Sequence, residues 1–213
     1  VIGILAPGNV TLSAPGSILD TRPASANTTL INNGGDLRLT SQIGQIGTPS
    51  DFLLIRTGGT VFASALGDIS LDQTGSLNLV ADSTFGQINA LSSGDINLSN
   101  TRCDIRVGLI RATGGILIQS VGQILAGDTL GAPANVTGAF MTFIVGAGNL
   151  GMPAAPVLIN TLPGSLFNAY APGGLYVGEV SGDLLIGLVQ SGGSMALSAA
   201  GGQADLARSE LEG

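Results

Sequence analysis

The sequence predicts an all-β fold, a right-handed parallel β-helix (β-solenoid) in which the chain makes about ten rungs around one narrow core. Three observations lead to this prediction. A short glycine-led unit recurs along the chain, a longer repeat of about 105 residues overlies it, and the composition is rich in glycine but poor in charge. We expect one solenoid domain at 1–202, made of two copies at about 1–106 and 107–202, followed by a helix or linker at 203–213.

The short unit has the form glycine, polar residue, aliphatic residue, any residue, aliphatic residue. Such alternation is typical of a strand with one buried face, and the leading glycine suits a turn that needs a positive φ. With one unit per turn, most rung spacings lie between 17 and 27 residues, as in a β-solenoid. The rungs then start near residues 8, 35, 58, 75, 94, 114, 138, 164, 182 and 193.

The longer repeat consists of five pairs of matched segments, in the same order and at a nearly constant offset. Offsets of 104 to 106 residues relate the members of each pair. Composition alone does not explain this order, so we interpret the chain as two copies of a five-rung unit. The pairs are 8–12 with 114–118, 16–19 with 122–125, 45–49 with 149–153, 52–55 with 156–159, and 59–62 with 164–167.

The composition excludes several classes of protein. The chain of 213 residues contains no histidine and no lysine, one cysteine, seven arginines and a net charge of −7. Without histidine it cannot form a Ser-His-Asp or Cys-His site or provide an imidazole ligand, and one cysteine forms no internal disulfide. The negative charge and the missing lysines argue against a nucleic-acid partner.

An uncharged stretch at 129–178 raises the question of a membrane span. Its run at 138–159 is long enough to cross a bilayer as a helix. The longer repeat aligns this run with 30–55, which carries charges and reads as two strands, and Pro153 and Pro156 would break a helix. We therefore expect two buried rungs and no membrane span.

A β-sandwich is the competing all-β fold, but it does not explain units that recur at solenoid spacing or the longer repeat. The segment 203–211 loses the alternation and has a helix-forming composition. It therefore predicts a short helix or a linker after the solenoid.

Glycine–aspartate pairs are the nearest approach to a chemical motif. Stacked carboxylates suit Ca²⁺, although the nonapeptide calcium repeat is absent. An aspartate after glycine in a turn more commonly accepts a hydrogen bond from its own backbone, and we favour that interpretation. The pairs lie at 35–36, 67–68, 94–95, 127–128 and 182–183.

Two loose groups of charged residues raise the alternative of catalysis, because β-helices also host polysaccharide lyases and glycoside hydrolases. An inverting hydrolase needs two carboxyl groups about 6.5–9.5 Å apart. A loosely charged, solvated face is the simpler interpretation, so we predict no enzyme and assign no catalytic, cofactor or metal residue. The groups are Asp68, Asp72 and Asp82, and Asp95, Arg102, Asp104 and Arg106.

Cys103 lies between Arg102 and Asp104, where an arginine can activate a thiol; we expect instead a small residue at a strand edge. Four Asn-x-Ser/Thr sequons occur. In a chain rich in Asn, Ser and Thr several should arise by chance, so we assign glycosylation to none of them in particular. They lie at Asn9, Asn27, Asn97 and Asn135.

The repeats at 8–20, 46–53 and 58–64 resemble those of large bacterial exoproteins of the filamentous haemagglutinin type. The resemblance covers roughly 8–200, and it implies a secreted, surface-exposed β-helical shaft that an outer-membrane partner often exports. The secretion domain of that family is not visible in this sequence.

Our leading functional hypothesis is a non-enzymatic shaft segment of a secreted or surface-exposed, outer-membrane-associated adhesin. The alternatives are a carbohydrate-active β-helix enzyme and a self-assembling filament subunit. Because the chain opens within a repeat, we expect an internal fragment. Its partners would be neighbouring rungs of a longer parent chain, a host-cell receptor, glycan or other surface ligand, and further copies joined end to end.

Overall fold

The computed structural model describes residues 3–20, 31–202 and 204–206, and it confirms the predicted all-β solenoid. The strands lie in two long sheets, and every strand pair is parallel. The described part of the chain contains no helix. Each turn of the coil contributes one strand to each sheet, so successive strands along a sheet are alternate strands of the sequence.

Sheet A has a path of ten strands, with β13 attached beside β11. Its strands are β1 (Ile4–Ala6), β3 (Ile31–Asn33), β5 (Leu53–Thr57), β7 (Ile69–Gln73), β9 (Ile88–Ser92), β11 (Ile105–Ala112), β13 (Ile124–Ala126), β14 (Val136–Gly138), β16 (Val157–Thr161), β18 (Leu175–Glu179) and β20 (Met195–Ala199).

Sheet B has ten strands. They are β2 (Val10–Ala14), β4 (Leu37–Ser41), β6 (Val61–Ala65), β8 (Leu77–Ser83), β10 (Ile96–Asn100), β12 (Ile116–Ser120), β15 (Met141–Val145), β17 (Leu166–Ala171), β19 (Leu184–Ser191) and β21 (Ala204–Leu206).

A third row of aliphatic residues completes the cross-section. Parallel bridges join its members from rung to rung, and from Ile46 to Leu175 these side chains are at most 1% exposed. The row has nine members and eight steps between them, so the solenoid makes about eight turns. These members are Ile18, Ile46, Ile69, Ile88, Ile105, Ile124, Leu150, Leu175 and the half-exposed Met195; at the one irregular step, Ile88 pairs with Val107 instead of Ile105.

Nine of the ten rung starts inferred from sequence fall directly before strands of sheet B. The tenth, at 193, is wrong, because Met195–Ala199 is β20 of sheet A. The tenth strand of sheet B is β21, which pairs with β19. It lies in the segment predicted to be a helix or linker, of which residues 203 and 207–213 are outside the described residues.

The core is a stack of inward-facing aliphatic side chains. In β4 and β6 the inward-facing side chains are at most 4% exposed. Arg38, which lies between Leu37 and Leu39 in β4, points outward. Two aromatic rings, Phe143 and Phe167, stack on neighbouring rungs with centroids 5.8 Å apart, and both are fully buried. Alternation along each strand therefore places one row inside and one row on the surface.

The five-rung repeat appears as matching corners in the two copies. Gly47 and Gly151 have φ values of 65° and 68°, and each N–H donates to the third row one rung earlier, to Ile18 at 2.9 Å and to Ile124 at 2.7 Å. Each glycine is followed by a small antiparallel bridge, Thr48 with Asp51 and Met152 with Ala155. The 45–49 and 149–153 match thus reflects one shared geometry.

A second match links buried polar residues. The Gln73 side-chain oxygen accepts the N–H of Thr57 at 3.3 Å. At the corresponding place Glu179, which is 1% exposed, accepts the N–H and hydroxyl of Thr161 at 3.0 and 2.8 Å. The same position at this corner therefore holds an amide side chain in one copy and a carboxyl group in the other.

Among the described residues, the longer connections lie at the corner between the third row and sheet A, at 47–52, 127–135 and 151–156. In the first rung, twelve residues separate Ile18 from Ile31 at the same place in the sequence, and most of them lie outside the described residues. The described rungs between them pass from the third row into sheet A within one strand, as in β7 and β9. The connections thus repeat with the five-rung period.

The connection at 127–135 folds back over earlier rungs. Gln87 accepts the N–H of Asp128 at 2.7 Å and donates to its carbonyl at 3.2 Å. Asn135, 1% exposed, donates to the carbonyls of Val107 and Gly127. These bonds fasten the loop across the bulge that separates the pairings of Val107 and Ile110 with β9.

The uncharged run at 138–159 forms β15, part of β16 and the corner between them. The run covers about one turn of the coil, so the prediction of two whole rungs was wrong, although the prediction of strands in place of a helix is confirmed. Among the described residues, no helix has the length and apolar character needed to cross a membrane.

Candidate functional site

The carboxylates of the glycine–aspartate pairs bind the backbone of the following rung. Asp36 accepts the N–H of Thr60, Asp68 that of Gln87, and Asp95 that of Gly115, all at 2.8–2.9 Å. This corrects the expectation that each aspartate bonds to its own turn. The stacking of corners brings the next rung's N–H nearer in space than the sequence suggests.

Other polar residues at the same corners make the same bond. Asn9 accepts the N–H of Asp36 at 2.9 Å, Asp104 that of Gln123 at 2.8 Å, and Asn149 that of Gly174 at 2.6 Å. An aspartate, an asparagine or a serine can accept this hydrogen bond, because the bond requires only a short side chain with an oxygen acceptor.

The leading glycines are of two kinds. Gly75, Gly164 and Gly182 have φ values of 95°, 79° and 80°, which confirms the expected positive φ at these positions. Three others are needed for space instead. A Cβ on Gly59 would overlap Asp36, one on Gly86 would overlap Asp68, and one on Gly114 would overlap Asp95. None of the three has a positive φ. The expectation of a left-handed turn was therefore wrong at these positions; the polar side chain of one rung fills the place where the next rung would carry its Cβ.

The two remaining pairs differ. Asp128 accepts the N–H of Leu130 at 2.9 Å, which is the bond to its own turn that the sequence predicted. Leu130 has a φ of 55°. At the last pair, Asp183 lies where a Cβ on Gly202 would overlap it, as at the earlier corners.

The structure does not bring the proposed catalytic carboxylates together. Asp68 lies at a corner, Asp72 on the outer face of sheet A between Leu54 and Leu91, and Asp82 on the outer face of sheet B. Asp95 and Asp104 each accept a bond from the next rung. Within the described ranges, no group of three or more Asp, Glu, Cys or His side chains is arranged to hold a metal ion.

One pair of these candidates does meet. The Arg102 guanidinium lies 3.3 Å from the Asp82 carboxylate, which also accepts the side-chain amide of Asn100 at 3.1 Å. The side chain of Arg102 is 74% exposed and that of Asp82 16%. Arg106 lies in β11 and pairs in register with Leu125, so it is not part of this contact.

The ion pair lines a groove on sheet B, which we call the lateral groove. Two rungs before Asp82, the Arg38 guanidinium lies over the Phe62 ring, 4.2 Å from the centroid. Hydroxyl groups contribute to the lining, and the volume of the groove is about 700 Å³. The described lining includes Thr11, Arg38, Thr40, Phe62, Ser64, Val80, Asp82, Thr101 and Arg102.

Sequence reasoning missed the lateral groove because its residues come from five successive rungs. Arg38 pairs in register with Phe62, and Phe62 with Val80. A rung-by-rung alignment of outward positions would have found this row. Such an arrangement can offer a ligand two guanidinium groups, hydroxyls and part of an aromatic face.

An exposed apolar ridge also escaped the sequence analysis. Ile43, Leu66 and Phe85 follow sheet B strands on three successive rungs, with exposed fractions of 74%, 37% and 80%. Backbone hydrogen bonds link the chain at these corners, as from Phe85 to the carbonyl of Leu66 at 3.0 Å. The ridge borders a shallow surface depression.

Cys103 lies in the turn between β10 and β11, rather than at a strand edge, and is exposed. Its Sγ lies 3.9 Å from the Asn100 amide nitrogen and from the Ser83 carbonyl oxygen.

The four sequons have different surroundings. Asn9 and Asn97 are exposed, and the Asn97 amide donates to Asn78 at 2.9 Å. Asn135 is 1% exposed and fully engaged by the loop. Asn27 lies outside the described residues.

Comparisons of the chain with protein-family models, with curated proteins and with solved structures found no match.

Proposed function

We propose that this chain is a structural shaft segment of a secreted or surface-exposed bacterial adhesin, without enzymatic activity. The observation that carries the proposal is the continuous stack of ten strands in each sheet. At the two corners that flank sheet B, the side chains of Asp36, Asp68 and Asp104 accept hydrogen bonds from backbone N–H groups of the next rung. A rod held together along its axis in this way can separate two attached parts by about 45 Å.

The spread of the acidic residues supports the absence of catalysis in this proposal. Asp72 and Asp82 lie on different sheets, and Asp36, Asp68, Asp95 and Asp104 hold backbone N–H groups. A hydrolase or lyase needs acid and base groups converging on one groove. The resemblance to exoprotein repeats supports the surface location.

Labelling of intact cells that produce the protein tests the location. An antibody raised against residues 31–202 should label unbroken cells or the medium, and protease added outside should remove the signal. Signal that appears only after lysis would contradict the proposal. Release of reducing ends or unsaturated uronates from a panel of polysaccharides by the purified chain would favour the enzyme instead.

The lateral groove supports a ligand-presenting role for the same shaft. Its two arginines, hydroxyls and aromatic ring suit an oligosaccharide, since such groups hydrogen-bond and stack on sugars. Double substitution Arg38→Ala and Arg102→Ala should abolish binding on a glycan array, whereas Arg111→Ala, on sheet A, should not. Equal binding by both variants, or no binding by the wild type, would remove the groove from the proposal.

A further inference from the structure

The lateral groove carries an excess of positive charge, although the chain as a whole is acidic. Its described lining contains the guanidinium groups of Arg38 and Arg102 and a single carboxylate, that of Asp82. Two positive charges and one negative charge leave a net charge of +1 in the groove, whereas the chain has a net charge of −7. A ligand that brings a single negative charge therefore complements the groove.

The Asp82 carboxylate is already engaged by the protein. It lies 3.3 Å from Nε of Arg102, and it accepts the Asn100 amide at 3.1 Å and the N–H of Thr101 at 3.3 Å. Arg102 makes this contact through Nε, and its side chain is 74% exposed. The terminal nitrogens of a guanidinium carry most of its N–H donors, so Arg102 can bind a ligand while it stays paired with Asp82.

Arg38 has a different environment. No carboxylate of the described residues lies within ion-pair distance of its guanidinium, which lies over the Phe62 ring at 4.2 Å from the centroid. Arg38 is exposed. The ring contacts one face of the guanidinium, and the N–H groups lie along its edge, where their fork matches the two oxygens of a carboxylate.

Phe62 positions Arg38 and offers little surface of its own. The ring is half-buried in a row of outward side chains, because Phe62 pairs in register with Arg38 on one side and with Val80 on the other. The guanidinium covers one face of the ring, so that face is closed to a sugar. The contribution of Phe62 is then a cation–π contact that fixes the direction of the Arg38 fork.

We propose that the lateral groove binds an acidic oligosaccharide through one sugar carboxylate, with Arg38 as the residue that binds the carboxylate and Phe62 as the residue that positions Arg38. This binding rests on the ligand-presenting role proposed for the shaft and names the class of its ligand. Thr40 and Ser64 pair in register on the same outer face, where their hydroxyls suit the hydroxyl groups of a sugar. A polysulfated chain fits less well, because the groove has a net charge of only +1 on an acidic molecule.

Binding of matched glycans tests the ligand class. The panel holds uronate-containing and sialylated oligosaccharides, each beside its carboxyl-reduced form, together with a polysulfated oligosaccharide. At least one carboxylated member should bind the wild type, and reduction of its carboxyl group should weaken binding about tenfold or more. Added NaCl should weaken binding of the acid and leave that of the reduced form unchanged.

The outcomes separate this inference from the proposed function. Binding of no glycan would remove the groove from both. Equal affinity for an acid and its reduced form, or tightest binding of the polysulfated oligosaccharide, would overturn the carboxylate inference and leave the proposed glycan-presenting role intact.

Substitutions at Arg38 locate the carboxylate. Arg38→Ala should remove the difference in affinity between the acid and its reduced form, and Arg38→Lys, which keeps the charge but lacks the planar fork, should retain only part of it. Arg111→Ala removes an equal charge from the outer face of sheet A and is the control, with the wild-type difference expected. A full difference in Arg38→Ala would place the carboxylate elsewhere and overturn the assignment.

A double-mutant cycle tests the positioning role of Phe62. Phe62→Leu should weaken binding of the acid, whereas Phe62→Tyr, which keeps the ring, should bind as the wild type does. In an Arg38→Ala background Phe62→Leu should have no further effect, because no guanidinium is left to position. An equal effect of Phe62→Leu in both backgrounds would show that the ring contacts the sugar itself, which contradicts the positioning role. Circular dichroism and Tm of each variant check that the fold is retained.

Discussion

At the scale of single residues, many corners join one rung to the next through two residues that depend on each other, a hydrogen-bond acceptor and a glycine. A polar residue of one rung accepts an N–H of the following rung, and a glycine in that following rung leaves room for it, as Asp95 does with Gly114 and Gly115. Packing between rungs thus explains part of the abundance of glycine in the sequence. Positive φ requires glycine at other positions, such as the corner glycines Gly75 and Gly182 and the connection glycines Gly47 and Gly151.

Gly114→Ala should destabilise the fold by about 1–3 kcal/mol, because the new methyl group displaces Asp95. In an Asp95→Ala background the same change should cost clearly less, since the obstructing side chain is gone. Urea unfolding of the four proteins in this cycle measures the difference. Gly8→Ala is the matched control and should be neutral; equal costs of Gly114→Ala in both backgrounds would contradict the packing explanation.

Burial raises the pKa of the Asp72 carboxyl group, which lies between Leu54 and Leu91 on sheet A. The folded state therefore holds this proton more tightly than the unfolded state does. Its contribution to stability is present at low pH and is lost as the pH rises through the folded-state pKa.

Asp72→Asn should remove this loss, because the amide does not ionise. We expect the Tm of the variant to equal or exceed that of the wild type at neutral pH, and the two to converge in acid. Thermal unfolding across a series of pH values from acid to neutral measures this. Parallel Tm profiles for the two proteins would show that Asp72 does not contribute to the pH dependence.

At the scale of elements, sheet B was largely predictable from the sequence. Its strands carry the clearest alternation, and nine of its ten members follow glycine-led units, as Leu37–Ser41 does. Sheet A was harder to identify, because short strands such as Ile4–Ala6 and Val136–Gly138 offer too few residues for a periodic signal.

The surface sites depend on which residues of neighbouring strands lie opposite each other. This register could not be predicted from the sequence. Arg38 and Phe62 are 24 residues apart, while Phe62 and Val80 are 18 apart, because connections of different length separate the rungs. The ion pair of Arg102 with Asp82 joins two residues that the sequence had placed in separate groups. Variable rung length is therefore the physical reason that the lateral groove was not found.

The side chain of Gln87, from an earlier rung, makes two of the hydrogen bonds that hold the loop at 127–135 to the coil. Gln87→Ala would remove both hydrogen bonds to Asp128. We expect hydrogen exchange of the amides at 127–135 to accelerate, while exchange in β16 stays as in the wild type. Gln123→Ala, at a corresponding corner with a bond to Asp104, is the control. Unchanged exchange at 127–135 would mean that the loop is fastened elsewhere.

At the scale of the whole molecule, five rungs form the repeating unit. Connections, corner glycines and the Gln73 and Glu179 positions all return with this period. Because each rung contacts only its neighbours, the stability of such a rod grows with its length.

Insertion of a second copy of residues 7–112 after Ala112 should give a fifteen-rung solenoid. The new junction repeats the natural one between β9–β10 and β11–β12, so the register is preserved. Small-angle scattering should show a rod about 24 Å longer, and the denaturant m-value should rise with the added buried surface. Insertion of 7–100, which breaks a rung, is the control and should misfold. A collapsed or aggregated fifteen-rung chain would argue against the five-rung unit.

The packing of a corner side chain against the glycine of the next rung also restricts how the sequence can evolve. A glycine such as Gly114 can gain a side chain only after the residue packed against it, the acceptor Asp95, has become small, and the reverse change is open only while the glycine remains. Substitutions at these corners must therefore arise in ordered pairs about one turn apart. Homologous chains should carry that history as covariation between residues roughly 20 positions apart, while the outward rows diverge freely.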